Sequence, residues 1–315
     1  MVHPFRAAIA LIALASATAC APEAPSPPTA CGGAAAIGAM IAIPGGRFTM
    51  GADDFYPEER PLRDVVVEGF TMQAHEVTNA QFAAFVAATG YVTVAERALD
   101  ARDFPTLNAA QRAPGSLVFA PRDDFVDLND FTQWWAWRPG ADWRHPAGPD
   151  SSLAGLENHP VVHVAFEDAM AYARWAGATL PSEAQWERAA RGGLNGADYV
   201  WGDRARDAQG RPRANHWQGV FPVRDAAEDG YAGSAPIGCF ERNGFGLYDM
   251  AGNVWELTRD DYVDARGPQP GAKVGRGGSF LCSDTYCGRY RPAARIPIAS
   301  DSGMQHVGFR VIASP

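Results

Sequence analysis

The sequence predicts an α+β fold with little regular secondary structure. The chain of 315 residues contains 33 glycines and 24 prolines, which interrupt long helices and strands and favour turns. Hydrophobic residues make up 47% of the chain, which is enough for a substantial core and excludes wholesale disorder. Short helical and strand patterns alternate with these loops. The length allows one large domain or two ordinary ones.

The first 19 residues have the pattern of a secretory signal peptide. Arg6 precedes an apolar run over 7–15, and small residues follow up to Cys20. The run is shorter than the roughly 20 apolar residues that a membrane-spanning helix needs. The small residues also favour a bacterial lipoprotein cleavage site, in which lipidated Cys20 tethers the mature protein to a membrane. We therefore expect an exported protein, periplasmic or membrane-anchored; plain secretion with Cys20 removed or unmodified is the alternative.

Residues 20–38 are rich in Pro, Ala, Ser and Gly. Such a composition buries too little apolar surface to fold and is typical of a flexible tether. We place the folded domain at 39–315, beginning with a short strand at 41–43 that ends in a turn. A helix is predicted over 78–86, where Thr78 is placed to cap its first turn.

Further along, residues 100–155 are irregular and rich in tryptophan. A strand is predicted at 161–164. It is followed by a helix over 166–177, which we expect to end at its glycine. A second helix starts near 181–183 and runs to Arg191 before a pair of glycines. From residue 194 onward the pattern predicts mostly loops, with short strands at 277–281 and 308–311.

The net charge of the chain is −9, and its isoelectric point is about 5.3. A protein that binds nucleic acid needs a basic surface to displace counterions from phosphates, and this sequence has no such cluster. Nucleic acid is therefore excluded as an expected partner.

Two of the five cysteines form a compact pair. Cys282 and Cys287 are five residues apart across a polar turn, and two thiolates at this spacing form a soft site that selects Cu(I). In an exported protein a disulfide between them is a serious alternative, and composition alone favours it. A zinc site is disfavoured because no further ligand lies at the usual spacing. Cys31 lies in the tether and is not expected to pair, and Cys239 is expected to be a small buried hydrophobic residue.

Several motifs together resemble the formylglycine-generating enzyme (sulfatase-modifying factor) family, over about residues 41–312. They are FTMG (48–51), HEVTNAQF (75–82), WRHPAGPDS (143–151), HPVVHVAFEDAMAYARWAG (159–177), LPSEAQWERAARGG (180–193), ANHWQGVFP (214–222), NGFGLYDMAGNVWELT (243–258), RGGSFLCSDTYCGRYRPAAR (276–295) and HVGFR (306–310). The resemblance implies a variant of the C-type-lectin-like fold. It also implies a catalytic domain that oxidises a cysteine in a Cys-x-Pro-x-Arg segment of an unfolded sulfatase polypeptide to Cα-formylglycine, using O2 and a reductant.

The same resemblance favours copper binding over a disulfide for the cysteine pair. It implies that Cys282 and Cys287 bind copper as Cu(I) and are catalytic. It adds Ser279, Trp255, Tyr286 and Arg289 as active-site residues, and Trp143, Arg144 and His306 as substrate-binding residues. A hydroxyl that satisfies local backbone is an equal alternative for Ser279, and a core position is an alternative for Trp255. Ser283 stands where many members have His, which puts proton or oxygen handling in doubt.

Two structural calcium sites are also implied by the resemblance. Mixed carboxylate, amide and carbonyl oxygens suit Ca²⁺, although the same residues could be ordinary loop caps. His163 is expected to be structural, and His216 is expected to contribute only its carbonyl. The first site comprises Asn215, His216, Asp229 and Tyr231, and the second comprises Asp249, Gly252, Asn253, Val254 and Glu256.

Two other functions compete with the oxidase. One is a non-catalytic, lectin-like lipoprotein that binds a ligand or assists envelope assembly. The other is an iron-dependent sulfoxide synthase, whose usual histidine-bearing helical domain is not found here. The pair formed by Cys282 and Cys287 distinguishes the oxidase from both.

Overall fold

The computed structural model describes residues 31, 36–102 and 104–314. The predicted signal peptide, Cys20 and most of the predicted tether lie outside these residues. No helix in the described ranges combines the length and apolar character that a membrane span requires.

Short strands and three α-helices make up the regular structure of the described residues. The strands are β1 (Met40–Ile43), β2 (Gly46–Met50), β3 (Arg63–Val67), β4 (Phe70–Gln73), β5 (Gly115–Phe119), β6 (Trp135–Pro139), β7 (Ala178–Thr179), β8 (Gly219–Val220), β9 (Arg224–Asp225), β10 (Trp255–Asp264), β11 (Gly267–Arg276), β12 (Arg295–Ala299), β13 (Val307–Gly308) and β14 (Ile312–Ala313). The helices are α1 (Asn79–Thr89), α2 (Phe166–Trp175) and α3 (Glu183–Arg191), and single 3₁₀ turns occur at Pro57–Glu59, Val94–Glu96 and Phe131–Gln133. The predicted α+β class with little regular structure is confirmed.

One four-stranded sheet contains strands from the beginning and the end of the domain. Its strand order is β1-β4-β14-β7. Ile312 of β14 pairs with Met72 of β4 on one side and with Thr179 of β7 on the other, antiparallel in both cases. The chain therefore closes on itself, and the last strand lies inside the sheet.

A second four-stranded sheet, of order β12-β11-β10-β13, positions the residues of the candidate site. The ten-residue strands β10 and β11 form an antiparallel hairpin with two register shifts, and β13 adds in parallel with Trp255 opposite Val307. Because β11 ends at Arg276, the segment that carries the two cysteines leaves the sheet beside Trp255.

The predicted helices are confirmed, and local capping explains two of them. Thr78 caps α1 and Ser182 caps α3, each exchanging hydrogen bonds with a glutamine three residues later in a capping box. Gly90 and Gly192 end these helices in the left-handed conformation. The helix over 166–177 ends slightly early, at Trp175.

Two predicted strands are wrong. Residues 161–164 are buried but form no strand, since His163 has a φ of 59° and turns the backbone out of a ladder. Residues 277–281 form turns, because Gly277 and Gly278 also have positive φ. At 308–311 only Gly308 belongs to a strand, β13. The long hairpin of β10 and β11 was not predicted.

The expectation for Cys31 and Cys239 is also wrong, because they form a disulfide. Folding brings the loop at 237–241 to the N-terminal segment, where Cys31 also contacts the hydroxyl of Tyr231. Cys31 is thus fixed to the domain across 208 residues of sequence. Such proximity arises only in the folded chain and leaves no trace in local composition.

Candidate active site

A glycine-rich turn brings the two free cysteines of the described chain together. Beyond β11, Gly278 has a φ of 81°, and a Cβ there would come within 2.8 Å of the Arg289 carbonyl oxygen. This close approach folds the cysteine loop onto its own continuation. The Sγ atoms of Cys282 and Cys287 lie 3.2 Å apart. That distance is well beyond the bond of about 2.05 Å in a disulfide.

The two thiols have pKa values shifted in opposite directions. Burial raises the pKa of the Cys282 thiol well above its usual range, and the neighbouring Cys287 raises it further. The hydrogen bond from Cys282 lowers the pKa of Cys287 to about 7, against the effect of burial, and the guanidinium of Arg289 lowers it too. Cys287 is therefore the thiol of the pair that ionises first.

A cavity of about 210 Å³ opens onto both sulfurs. The structure brings to it all four predicted active-site neighbours of the thiols and one of the predicted substrate-binding residues. These five residues are Trp255, Ser279, Tyr286, Arg289 and His306.

Ser279 and His306 supply the polar edge of this cavity. The Ser279 hydroxyl and His306 Nδ1 are 3.1 Å apart, and the Ser279 amide donates to the sulfur of Cys282 at 3.4 Å. Burial lowers the pKa of His306 to about 3, so its ring is neutral near neutral pH and can accept from the Ser279 hydroxyl. The Ser279 hydroxyl also accepts from the Leu281 amide. The Ser279 hydroxyl therefore forms hydrogen bonds both with a cavity residue and with the local backbone.

Three aromatic residues that line the cavity, Trp134, Trp135 and Phe221, were not predicted from the sequence. The ring of Tyr286 stacks on Phe221 with centroids 4.6 Å apart and meets Trp134 edge-on at 5.4 Å. Trp135 packs on the ring of His306 at 4.7 Å. The tryptophan-rich composition of 100–155 was the available signal, but it did not indicate which ring faces the thiols. These rings give the cavity a largely aromatic lining.

Trp143 and Arg144, which were predicted to bind the substrate, are not among the residues that line the cavity. Trp143 is only 3% exposed and packs in the main core, edge-on to Phe82. Arg144 lies over the Trp143 ring at 4.2 Å and pairs with Glu96. Both residues therefore stabilise the fold at this position, and a contact with substrate beyond the cavity stays a prediction.

Within the described ranges, no group of three or more His, Cys, Asp or Glu side chains is arranged to hold a metal ion. The first predicted calcium site must therefore include amide or carbonyl oxygens. Asn215 Oδ1 is buried there without a hydrogen-bond partner. The carboxylate of Asp229 accepts from the amides of His216 and Tyr231 at 3.0 and 2.9 Å, and burial raises its pKa to about 6. The orphaned oxygen and the buried carboxylate fit a cation.

The second predicted calcium site includes buried acidic side chains. Asp249 Oδ1 has no hydrogen-bond partner, and burial raises the pKa of Asp249 to about 6. Gly252 lies so close to Asn215 that a Cβ would meet its carbonyl oxygen at 2.1 Å, which joins the two sites. Asn253 accepts from the Ala235 amide at 2.9 Å. Glu256, in contrast, already accepts from Arg310 and from the Trp186 indole.

Glu76 lies beside the second predicted calcium site and was not predicted from the sequence. It is fully buried, its Oε2 has no hydrogen-bond partner and lies 4.0 Å from Arg310, and its Oε1 accepts from Asn253 at 3.0 Å. Burial, and repulsion from Asp249, raise its pKa well above the usual range. Arg310 pairs with Glu256 at 2.6 Å and lies 4.0 Å from Glu76, and Asp249 is a third buried acidic group nearby. These three acidic side chains do not form a metal site by themselves, so a calcium ion here would also need amide or carbonyl oxygens. The residues present fit calcium.

Comparison with known proteins places the chain in a family. A family model described as the sulfatase-modifying factor enzyme 1-like domain matches residues 29–315. The chain is 49% identical over 294 residues to a protein from Mycobacterium tuberculosis named formylglycine-generating enzyme, covering 88% of this chain and 98% of that one. A protein of the same name from Thermomonospora curvata is also 49% identical over 294 residues, covering 88% and 93%.

Among solved structures, PvdO from Pseudomonas aeruginosa superposes with a TM-score of 0.60 at 24% identity, covering 88% of this chain and 94% of that one. This likeness supports the fold alone. The family model and the two relatives span nearly all of the described domain. The chain therefore belongs to the sulfatase-modifying factor enzyme 1-like family.

Proposed function

We propose that this chain is a copper-dependent oxidase that converts the cysteine of a sulfatase Cys-x-Pro-x-Arg segment to Cα-formylglycine with O2. The observation that carries the proposal is the pair of free thiols, 3.2 Å apart, that faces a small aromatic cavity. Relatives at 49% identity bear the name formylglycine-generating enzyme, which supports the substrate class. A non-catalytic, lectin-like lipoprotein would not require two free thiols in a cavity.

Cys282 and Cys287 would hold Cu(I), because two soft thiolate ligands suit that ion and leave coordination positions open. Cys287 is the first to ionise, and Arg289, whose Nη1 lies 3.8 Å from its sulfur, compensates the charge. Bound copper would supply the one-electron chemistry that O2 requires.

The other cavity residues would bind the substrate cysteine and exclude water. The rings of Trp255, Trp134 and Tyr286 line a cavity of about 210 Å³, which is large enough for a cysteine side chain. Burial raises the pKa of Tyr286 to about 12, so its hydroxyl stays protonated and can donate a hydrogen bond. Ser279, paired with neutral His306, offers a second polar group beside Cys282.

The overall reaction balances with a reductant. Loss of two electrons and two protons from the substrate cysteine gives a thioaldehyde, which water hydrolyses to the aldehyde and hydrogen sulfide. Reduction of O2 to two waters uses these two electrons and two more, which the reductant supplies. We expect the substrate peptide to be extended, so that its cysteine side chain can enter the cavity of about 210 Å³.

We further infer that calcium stabilises the loops that carry the site. Asn215 and Asp229, with the carbonyls of His216 and Tyr231, would hold one ion. Asp249 and Glu76 would provide the carboxylates for a second ion, and Gly252, Asn253, Val254 and Glu256 would surround it. The orphaned oxygens of Asn215, Asp249 and Glu76 support this inference.

We also propose export, with Cys20 as a lipid anchor. In that case the enzyme would meet its sulfatase outside the cytoplasm, before the substrate folds. A Cys31–Cys239 disulfide suits an oxidising compartment.

The test incubates the Cu(I)-loaded protein with a synthetic Cys-x-Pro-x-Arg peptide and follows oxygen uptake together with the mass loss at the cysteine. We expect conversion by the wild type and none by Cys282→Ala or Cys287→Ala. A matched peptide with serine in place of cysteine controls for background. Full activity in both variants, or conversion that does not depend on added copper, would refute the proposal.

A further inference from the structure

One short segment near the N-terminus holds the chain that follows Cys287. The Gly288 amide donates to the Tyr56 hydroxyl at 3.0 Å, across 232 residues of sequence. Arg289 donates from Nε and Nη2 to Glu58 Oε1, at 3.0 and 2.6 Å. Farther along, Arg291 forms a buried ion pair with Glu59. The 3₁₀ turn at Pro57–Glu59 and its neighbour Tyr56 thus bind three positions of a loop that has no regular secondary structure.

Tyr56 and Glu58 also fix the cation beside Cys287. The guanidinium of Arg289 lies 3.6 Å from the centre of the Tyr56 ring, while its Nη1 points to the Cys287 sulfur. The side chains of Arg289 and Glu58 are both about one-fifth exposed, at 21% and 19%, so the ion pair is partly shielded from solvent. Both of its hydrogen bonds go to a single oxygen of Glu58.

Cys282 is held by a different part of the chain. Its amide donates to the Ser279 carbonyl, and its carbonyl accepts from the Trp217 amide, each at 2.9 Å. Contacts of Cys282 and of the residues after Cys287 therefore come from separate segments. The separation of the two sulfurs depends on both sets of contacts, and Tyr56 and Glu58 belong to the second.

We propose that Tyr56 and Glu58 are positioning residues that hold Cys287 and Arg289 in the geometry that Cu(I) binding requires. The proposal rests on the proposed function and adds two residues to it. Neither side chain lines the cavity, so both act through the residues they contact. Partners that orient metal ligands typically change metal affinity by about 10-fold to 100-fold when they are removed.

The experiment measures Cu(I) affinity by anaerobic competition with a chromophoric Cu(I) chelator, with ascorbate as the only reductant. We expect Glu58→Ala and Tyr56→Phe to lose affinity by about 10-fold or more. Glu58→Gln should stay close to the wild type, because its amide oxygen can accept both hydrogen bonds from Arg289. Glu241→Ala is the matched control, since Glu241 pairs with Arg213 on the surface and is 72% exposed.

Activity provides a second measurement. With the peptide substrate, Glu58→Ala and Tyr56→Phe should lower kcat with little change in KM, because the cavity that receives the peptide is left intact. Equal Cu(I) affinity in all variants would overturn the positioning role of Tyr56 and Glu58 but not the proposed function. An equal loss in Glu58→Ala and Glu58→Gln would also overturn it, because charge rather than hydrogen bonding would then matter. If Glu58→Ala does not fold, the Cu(I) affinity of Tyr56→Phe tests the proposal by the same criterion. A wild type that does not bind Cu(I) would overturn this proposal and the proposed function together.

Discussion

Cys282 and Cys287 place their sulfur atoms 3.2 Å apart in unlike surroundings. Cys282 is 1% exposed, and burial raises the pKa of its thiol, whereas Cys287 is half-buried and the hydrogen bond from Cys282 lowers its pKa to about 7. Two thiols this close can bind one metal ion together or be oxidised to a disulfide. Their redox state therefore decides between the two interpretations that the sequence left open.

We predict that the purified protein has free thiols at Cys282 and Cys287 and a disulfide between Cys31 and Cys239. Alkylation of the unfolded, unreduced protein should label the first pair, and the second pair should react only after reduction. Peptide mapping by mass spectrometry makes the measurement. Recovery of a peptide in which Cys282 and Cys287 are bonded to each other would remove the copper ligands from the cavity.

The Cys31–Cys239 disulfide should contribute strongly to stability. It closes a loop of 208 residues in the unfolded chain, and loss of such a bond typically costs about 2–5 kcal/mol. Cys31→Ser and Cys239→Ser should therefore lower the free energy of unfolding equally, and the double variant should be no worse than either single variant. Chemical denaturation measures this. Additive losses would mean that the two cysteines act independently.

Local rules predicted the helices because their signals are local. Thr78 with Gln81 and Ser182 with Gln185 are capping boxes that can be found by spacing alone. The strand at 161–164 failed because its apolar pattern does not reveal that His163 takes a positive φ, which its buried partners impose. Likewise, the β10–β11 hairpin is stabilised by pairing between strands and carries polar residues that resemble a loop.

For the candidate site, the family motifs located the residues around the thiols, and the structure brings Trp255, Ser279 and His306 to one cavity. Glu76 and Glu58 were missed for a physical reason. Glu76 lies in the HEVTNAQF motif and Glu58 lies outside the quoted motifs, but the importance of each depends on partners 177 or more residues away. Such contacts are visible only when the chain is folded.

Calcium should stabilise the domain. At about 100 times its dissociation constant, an ion that binds only the folded state adds about 2.7 kcal/mol of stability. A chelator should therefore lower Tm, and Asp249→Asn should remove much of the response while keeping the side-chain shape at this position of φ 55°. Asp261→Asn is a suitable control, because Asp261 is exposed on β10 and pairs with Lys273. If the chelator leaves Tm unchanged, the orphaned oxygens have another explanation.

His163 should make the fold sensitive to acid. Its ring is fully buried, with Nδ1 2.8 Å from the Ser116 hydroxyl and Nε2 2.9 Å from the Pro146 carbonyl oxygen, and burial lowers its pKa to about 4. The unfolded chain, with a pKa near 6.5, takes up a proton first as the pH falls. The stability that neutral His163 provides is therefore complete above pH 6.5 and is lost between pH 6.5 and 4, by about 3 kcal/mol in total.

Comparison with His163→Asn isolates this contribution, because asparagine tolerates the φ of 59° and does not titrate. Asp142 and His306, the nearby groups that interact with His163 electrostatically, remain in both proteins. The wild type should be the more stable protein at pH 7, and its advantage should shrink by about 3 kcal/mol at pH 4. Urea denaturation across this range measures the difference. An advantage that stays constant with pH would show that His163 has the same pKa in the folded and unfolded chains.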